Sequence, residues 1–420
     1  MHPMLKPALR RSWRSRDTVQ FGVARAHAVV MGPVDTATGS FLELLDGTRG
    51  LPLLRQEARA IGLPEGRADA LVDRLAAAGL LDEPRDGGEP AAALDRLRPD
   101  AGSLSVLHPE PGAAARLLAA RRATRVQVRG AGRVGAAVAA LLSASGVGQV
   151  DVVDGGCVEP WDVAPGGLSA EQIGERREVA ARPAVGRGAP APPPPPAPPG
   201  GPPPRPSRVG PPGGGRPKQW GGGGAGAARG GGGGPAPPPP PRRPARERTS
   251  SGESGLALVV IAPRDGLAAY APDPEQAEPL LASGTPHLYA GVIEATGVVG
   301  PLVAPGITPC AGCAAAGRAE REPAWPRMLA QWRSGRRRTA PACDAALAMV
   351  VAGFAAVQAL AFLDGRPSGG AGVRWELALP SLVWEARPVE AHPGCGCGAA
   401  GEEDAVCVSA AEASHATMSG

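Results

Sequence analysis

A chain of 420 residues has room for two ordinary domains and a sizeable core, yet 61 glycines, 50 prolines and only 3% aromatic residues leave part of it unable to join one. The 44 basic and 40 acidic residues sum to +4 and are spread along the chain. Without a concentrated basic face, they argue against DNA or RNA as a partner.

Residues 1–16 are basic, but no apolar run follows them, so they do not read as a signal peptide. In residues 18–84, Val19, Phe21 and Val23 alternate as a strand does, and residues 28–31 offer a second strand. Phe41, Leu44 and Leu45 suggest a helix, residues 53–61 another. A third, starting near Pro64 and Glu65, brings Leu71, Val72, Leu75 and Leu80 close to one face. The expectation is a small winged-helix-like α+β module, serving peptide binding or packing alone. The polar, Pro-bearing stretch that follows is expected to be a linker over 85–110.

From Arg125 the pattern becomes βαβ, in a predicted first part of the main domain covering 111–182. Val126 and Val128 form a strand, residues 130–135 a glycine turn, and residues 136–145 a helix. Val150, Val152 and Val153 form the next strand, ending at Asp154, and a helix is expected over about 170–182. Residues 183–254 are dominated by Pro, Gly, Ala and Arg; such a composition cannot offset its ordering entropy by burial, so a disordered insertion is predicted. A doubly wound sheet would need its third strand here, at an edge, and the sequence offers none.

The second part of the main domain is expected over 255–400. Residues 256–261 suit a buried parallel strand, with Asp265 following its carboxyl end. Another strand is expected at 287–293 and an extended segment at 297–303. Residues 345–363 are apolar except for Gln358; their Ala and Gly content makes a weak membrane span, and a buried core helix fits better. Residues 401–420 are expected to be a disordered tail. The predicted fold class is α/β: a Rossmann-like, mostly parallel sheet with helices on both faces, interrupted by the insertion and preceded by the small module.

Two motifs carry chemistry. Gly130, Gly132 and Gly135 lie between a strand and a helix, where glycine permits a tight turn and the helix N-terminus offers N–H groups to a phosphate. Asp154, at the end of the second strand, can accept hydrogen bonds from ribose hydroxyls. NAD, FAD and ATP sites share this pattern, so an NAD-dependent oxidoreductase fits the loop, although it explains neither cysteine pair. Cys310 and Cys313, with Cys395 and Cys397, supply four thiolates, enough for a closed tetrahedral Zn²⁺ site with no open position for catalysis; His392 replacing one cysteine is an alternative. Cys157, Cys343 and Cys407 are unassigned. Paired cysteines in a chain of this size suit metal ligation in a reducing compartment, and a cytoplasmic location is expected.

These segments together resemble the ThiF/MoeB/HesA family, related to the ubiquitin-activating enzymes. The resemblance rests on GAGRVG at 130–135, VDVVD ending at Asp154, VEPWD at 158–162, IGERREVAA from Ile173, and VVGPLVAPGITPCAGC at 298–313, the last being the most specific. It implies ATP and Mg²⁺ binding and adenylation of the free C-terminus of a small protein or peptide. By this resemblance Gly130, Gly132 and Gly135 contact phosphates, Asp154 the ribose, and Asp265 holds Mg²⁺. Arg177 stands where a phosphate-binding Lys is expected, keeping the charge but not the compact ammonium. It also implies a homodimer.

The chain departs from the family at Asp162-Val-Ala-Pro-Gly166, which replaces an Asn-Leu-x-Arg-Gln segment and removes a catalytic arginine, and at the final CxC pair. Both features resemble the ThiF-like proteins that accompany YcaO-type cyclodehydratases in ribosomal peptide biosynthesis. There the small N-terminal module grips a leader peptide and adenylation is reduced. The two functional expectations are therefore an adenylyltransferase and a non-catalytic recognition partner.

Overall fold

Seven strands form the central sheet in the order β12-β11-β10-β9-β8-β6-β7, where β6 is Arg125–Arg129, β7 Gln149–Val153, β8 Leu258–Ile261, β9 His287–Ile293, β10 Thr296–Val303, β11 Val373–Ala378 and β12 Trp384–Pro388. The computed structural model describes residues 2–83, 96–189, 255–334, 340–366 and 369–400. The predicted tail, and the predicted insertion from residue 190 onward, lie outside the described residues, as do residues 84–95 of the predicted linker.

Strands β7, β6, β8 and β9 pair in parallel, and β10, β11 and β12 continue the sheet antiparallel. β8 explains why a continuous apolar run is needed. Leu258 and Val260 pack on one face with the helices α6 (Arg133–Ala144) and α12 (Ala345–Leu363), while Val259 and Ile261 pack on the other with Leu280 of α9 (Pro274–Ala282). Helices thus cover both faces. Among the described residues no strand lies beyond β7, whose residues are exposed or half-buried, as expected where an edge strand is missing.

α12 starts at Asp344, whose carboxylate accepts from the N–H groups of Ala346 and Leu347 at 2.8 and 3.2 Å. It is the one helix among the described residues long and apolar enough to cross a membrane. Leu347, Val351, Ala355 and Ala359 are nevertheless buried against α6 and the sheet, so its apolar character serves the core.

The N-terminal region has a three-stranded antiparallel sheet, β2 (Arg11–Trp13), β3 (Val19–Phe21) and β4 (Val29–Met31), and helices α1 (Thr36–Leu44), α2 (Leu51–Ala60) and α3 (Arg67–Ala77). Val19, Phe21, Phe41, Leu42, Leu54, Leu71 and Leu75 form its core. Residues before the expected boundary at 18 also take part, since β1 (Met4–Leu5) pairs with β5 (Leu81–Asp82). The alternation predicted to reach Val23 stops at Phe21: Gly22 turns the chain at φ +86°, and Val23 is exposed.

Two other boundaries differ from expectation. Within the predicted linker, residues Arg98–Leu107 form helix α4, because Leu97, Ala101 and Leu104 find a partner face on Ala114 and Leu118 of α5 (Ala113–Ala123). The helix expected at 170–182 is split. Residues Ala170–Gln172 make a single 3-10 turn, Gly174 at φ +93° breaks the path, and α7 runs over Arg177–Gly188, past the predicted end. Its last turns are held by buried Ala184 and by a hydrogen bond from Ser143 Oγ to the Val185 carbonyl at 2.8 Å.

Candidate nucleotide site and cysteine centre

β6, paired between β8 and the edge strand β7, delivers the chain into the glycine loop. Gly130 has φ +105°, donates its N–H to the Val153 carbonyl at 2.9 Å, and leaves no room for a side chain: a Cβ there would lie 2.1 Å from the Ala262 carbonyl oxygen. A Cβ on Gly135 would lie 2.0 Å from the Gly130 carbonyl oxygen. Gly132 differs, because its Cβ would meet a side chain, the Arg264 Cγ at 2.9 Å. The first N–H groups of α6 lack intrahelical acceptors and favour an anion.

Asp154 sits against this loop. Its Oδ2 accepts from the Ala131 N–H at 2.9 Å, and its Oδ1 accepts from the Gly156 N–H at 2.9 Å and from Arg177 Nη1 at 3.0 Å. Burial alone would raise this carboxyl; the two backbone donors and Arg177 outweigh it and hold the group below its ordinary value. As it stands, the carboxylate braces the loop.

Arg177 is buried behind Asp154 and contacts three carboxylates: Asp154, Asp162 through Nε at 2.9 Å, and Glu159 through Nη2 at 3.2 Å. Burial disfavours its charge, but the hydrogen bonds it donates to Asp162 and Asp154 prevail and raise its pKa. Asp162, in the segment that replaces the expected arginine motif, also accepts from the Glu159 N–H at 2.9 Å and from Arg264 Nε at 2.7 Å. Arg264 completes the network by ion-pairing with Glu159.

A cleft over the loop is lined by Gly132, Arg133, Trp161, Asp162, Arg264 and Cys343, among others. The cleft is open to solvent, and the Arg264 stem lies on its wall against Gly132 at the start of α6. Asp265 follows Arg264, is exposed, and caps the short helix α8 (Gly266–Tyr270) by accepting from the Leu267 N–H at 3.0 Å. It belongs to no group of three or more metal-capable side chains among the described residues. Glu159 and Arg264 were not anticipated from the sequence; the available signal was a charged residue directly before Asp265 at the carboxyl end of β8.

The second site lies where α10 (Ala311–Arg321) begins. Cys310, Cys313, Cys395 and Cys397 bring four sulfurs within 4.8 Å of one another. The Cys310–Cys395 and Cys313–Cys397 separations are both 3.5 Å. A tetrahedron with Zn–S bonds of about 2.3 Å has edges of about 3.8 Å, so the donor set fits Zn²⁺. Burial pushes the Cys310 and Cys313 thiols up, so a cation that takes thiolates would supply the compensation. Gly312 leaves room for the sulfurs, since a Cβ would lie 3.0 Å from Cys395 Sγ and crowd it. His392 is held elsewhere: its Nε2 is 2.9 Å from Glu320 Oε1, and its Nδ1 accepts from the Gly394 N–H at 3.1 Å.

Of the unassigned cysteines, Cys157 is exposed and Cys343 is half-buried beside the cleft, while Cys407 lies outside the described residues.

Residues 111–191, from α5 through the glycine loop to α7, match the ThiF family. Solved structures show the same fold. Crystal structures of Escherichia coli MccB align over 95% of this chain and 100% of theirs with MccA-N7isoASN (TM-score 0.60, 13% identity), and over 94% and 99% with ATP (TM-score 0.60, 12% identity). The structure of PaaA aligns over 91% of this chain and 99% of its own, with a TM-score of 0.58 and 13% identity. No curated protein matches the chain. At these identities the likeness is one of fold.

Proposed function

We propose that the chain is an ATP-dependent adenylyltransferase of the ThiF type that activates the C-terminal carboxylate of a small protein or peptide. The observation that carries this reading is the loop at the start of α6: Gly130 and Gly135 cannot accept a Cβ, and they bring backbone to an anion-favouring helix terminus in a ThiF-family domain. In the reaction a carboxylate oxygen of the acceptor attacks the α-phosphorus of ATP. The bond to the bridging oxygen breaks and pyrophosphate leaves. The protein's task is to hold the reactants in line and to neutralise charge on the leaving group.

In this reading the backbone at Gly130, Gly132 and Gly135 holds phosphates, and Asp154 braces the loop while standing closest to the ribose position. Asp265 takes Mg²⁺, which would supply charge neutralisation. Arg177 acts on Asp154 and Asp162, positioning them, and does not itself reach the phosphate. Zn²⁺ at the four cysteines is structural. MccB has been crystallised with ATP and with MccA, which supports a nucleotide and a peptide-like acceptor. The active unit is a cytoplasmic homodimer.

The test is pyrophosphate–ATP exchange with Mg²⁺-ATP and supplied peptide carboxylates. Exchange that disappears in Asp265→Asn is expected. Bound ATP with no exchange for any acceptor would overturn the catalytic part.

A second reading is favoured by one observation: Arg177 is committed to three carboxylates, and the segment from Asp162 has no arginine to replace it. Here the chain is a non-catalytic partner that presents a leader peptide to a YcaO-type cyclodehydratase through residues 18–84. Peptide binding by the full chain that is unchanged by ATP would support it.

A further inference from the structure

The ThiF-type loop needs a cation at the polyphosphate, and the sequence lacks the expected arginine after Asp162. Resting on the nucleotide-binding reading above, we propose that Arg264 supplies that charge, held beside the loop by Asp162 and Glu159 until a polyphosphate takes it over.

Position is the first argument. Arg264 follows β8, and the glycine loop follows β6, with β8 and β7 on opposite sides of β6. The strand order therefore switches sides at β6, and the crevice outside the carboxyl ends of β6 and β8 is the place where open α/β sheets bind ligands. Arg264 also explains Gly132. Gly130 and Gly135 are forced by backbone, but at Gly132 a Cβ would meet the Arg264 stem, with Cγ at 2.9 Å. The absent side chain lets the arginine lie across the loop.

Availability is the second argument. Arg177 is 7% exposed and is enclosed by Asp154, Glu159 and Asp162. Arg133, the first residue of α6, donates from Nη1 to the Cys343 carbonyl at 2.7 Å. The Arg264 side chain is 27% exposed, and one of its two partners, Glu159, is 40% exposed, a solvated pairing that is weak and readily exchanged. Its other partner, Asp162, is 3% exposed but keeps Arg177 Nε and the Glu159 N–H if Arg264 moves away. No buried charge is left alone, so the large penalty for breaking a buried pair does not apply in full. Arg264 lines the same cleft as Gly132 and Arg133, so a polyphosphate that settles over the loop lies beside the guanidinium, and its oxygens are the acceptors that Arg264 meets.

The experiment measures binding of ATP, tripolyphosphate and adenosine by calorimetry to the full chain and to Arg264→Gln, Arg264→Lys and Glu159→Gln, with zinc content and far-UV circular dichroism as folding checks. Arg264→Gln is expected to weaken ATP and tripolyphosphate about tenfold or more while adenosine stays within about twofold, and Arg264→Lys to recover part of the loss. Glu159→Gln, which removes one competitor for the guanidinium, is expected to tighten ATP several-fold, and it decides the matter if Arg264→Gln does not fold. An unaltered chain that binds no ATP would overturn the nucleotide reading itself. If the unaltered chain binds ATP and Arg264→Gln binds it equally well, or loses adenosine and ATP alike, the role of Arg264 is wrong and the nucleotide reading stands. ATP affinity unchanged or weakened in Glu159→Gln also counts against the role.

Discussion

The cysteine centre and the glycine loop differ in how their donors are arranged. At the cysteine centre four like groups converge with their lone pairs on a common point, and nothing among them neutralises the charge they would carry as thiolates. Around the loop the charges are of both signs and already satisfy one another: Arg177 and Arg264 share Asp162 and Glu159. The first arrangement calls for an added cation to be stable. The second is stable by itself and yields to a ligand only by exchanging partners, so it can be selective without being open.

The largest effect that would break this contrast is at the metal side. Cys310→Ser is expected to lower zinc from one per chain to near zero and to cost about 5 kcal/mol, since a structural site contributes its binding energy to folding; zinc analysis with chemical denaturation measures both. A chain that is equally stable with and without the metal would mean that the sulfurs pack without needing it.

On the loop side, Gly135→Ala forces a Cβ to 2.0 Å from a backbone oxygen and is expected to cost about 3 kcal/mol, whereas Gly132→Ala requires only the Arg264 stem to shift and should cost about 1 kcal/mol. Denaturation midpoints of the pair sharpen the distinction between a backbone-imposed glycine and one that makes room for a side chain.

Asp162→Asn keeps the shape and removes the charge shared by Arg177 and Arg264; a loss of about 2 kcal/mol is expected, with the melting temperature as readout. No change would mean that the network contributes only local order.

The smallest effect is one of pH. His287 is fully buried, and burial holds its pKa below the ordinary value. With the folded value lower than the unfolded one, its contribution is complete above about pH 6.5 and is lost as pH falls, by at most about 1.4 kcal/mol per unit. Asp154 is also depressed, so its contribution is lost only below the ordinary carboxylate value of about 3.9. Burial holds His108 below its ordinary value as well, so stability measured from pH 7 to 3 should decline first through these two histidines and then through the carboxylates, with His287→Gln reducing the first stage.

What could be read from the sequence alone was local. The GxGxxG spacing identifies a strand-to-helix turn because the steric demand at Gly130 and Gly135 comes from backbone a few residues away or on the adjoining strand. The apolar run of β8 marks a strand buried on both faces, and that of α12 a helix packed into the core, because the run of apolar residues within one element reports how much of it leaves water. The CxxC and CxC pairs mark two ligands each, since a short turn suffices to orient both.

Tertiary structure decided which distant groups meet. Cys310 and Cys395 are 85 positions apart, and Arg264 and Asp162 are 102 apart. Whether such groups touch depends on the order of strands in the sheet, to which side-chain periodicity is indifferent. For the same reason Arg177 could be recognised as a positive charge near the loop but not as a residue enclosed by three carboxylates. Leu97, Ala101 and Leu104 likewise looked like parts of a linker until α5 supplied the surface that makes them a helix.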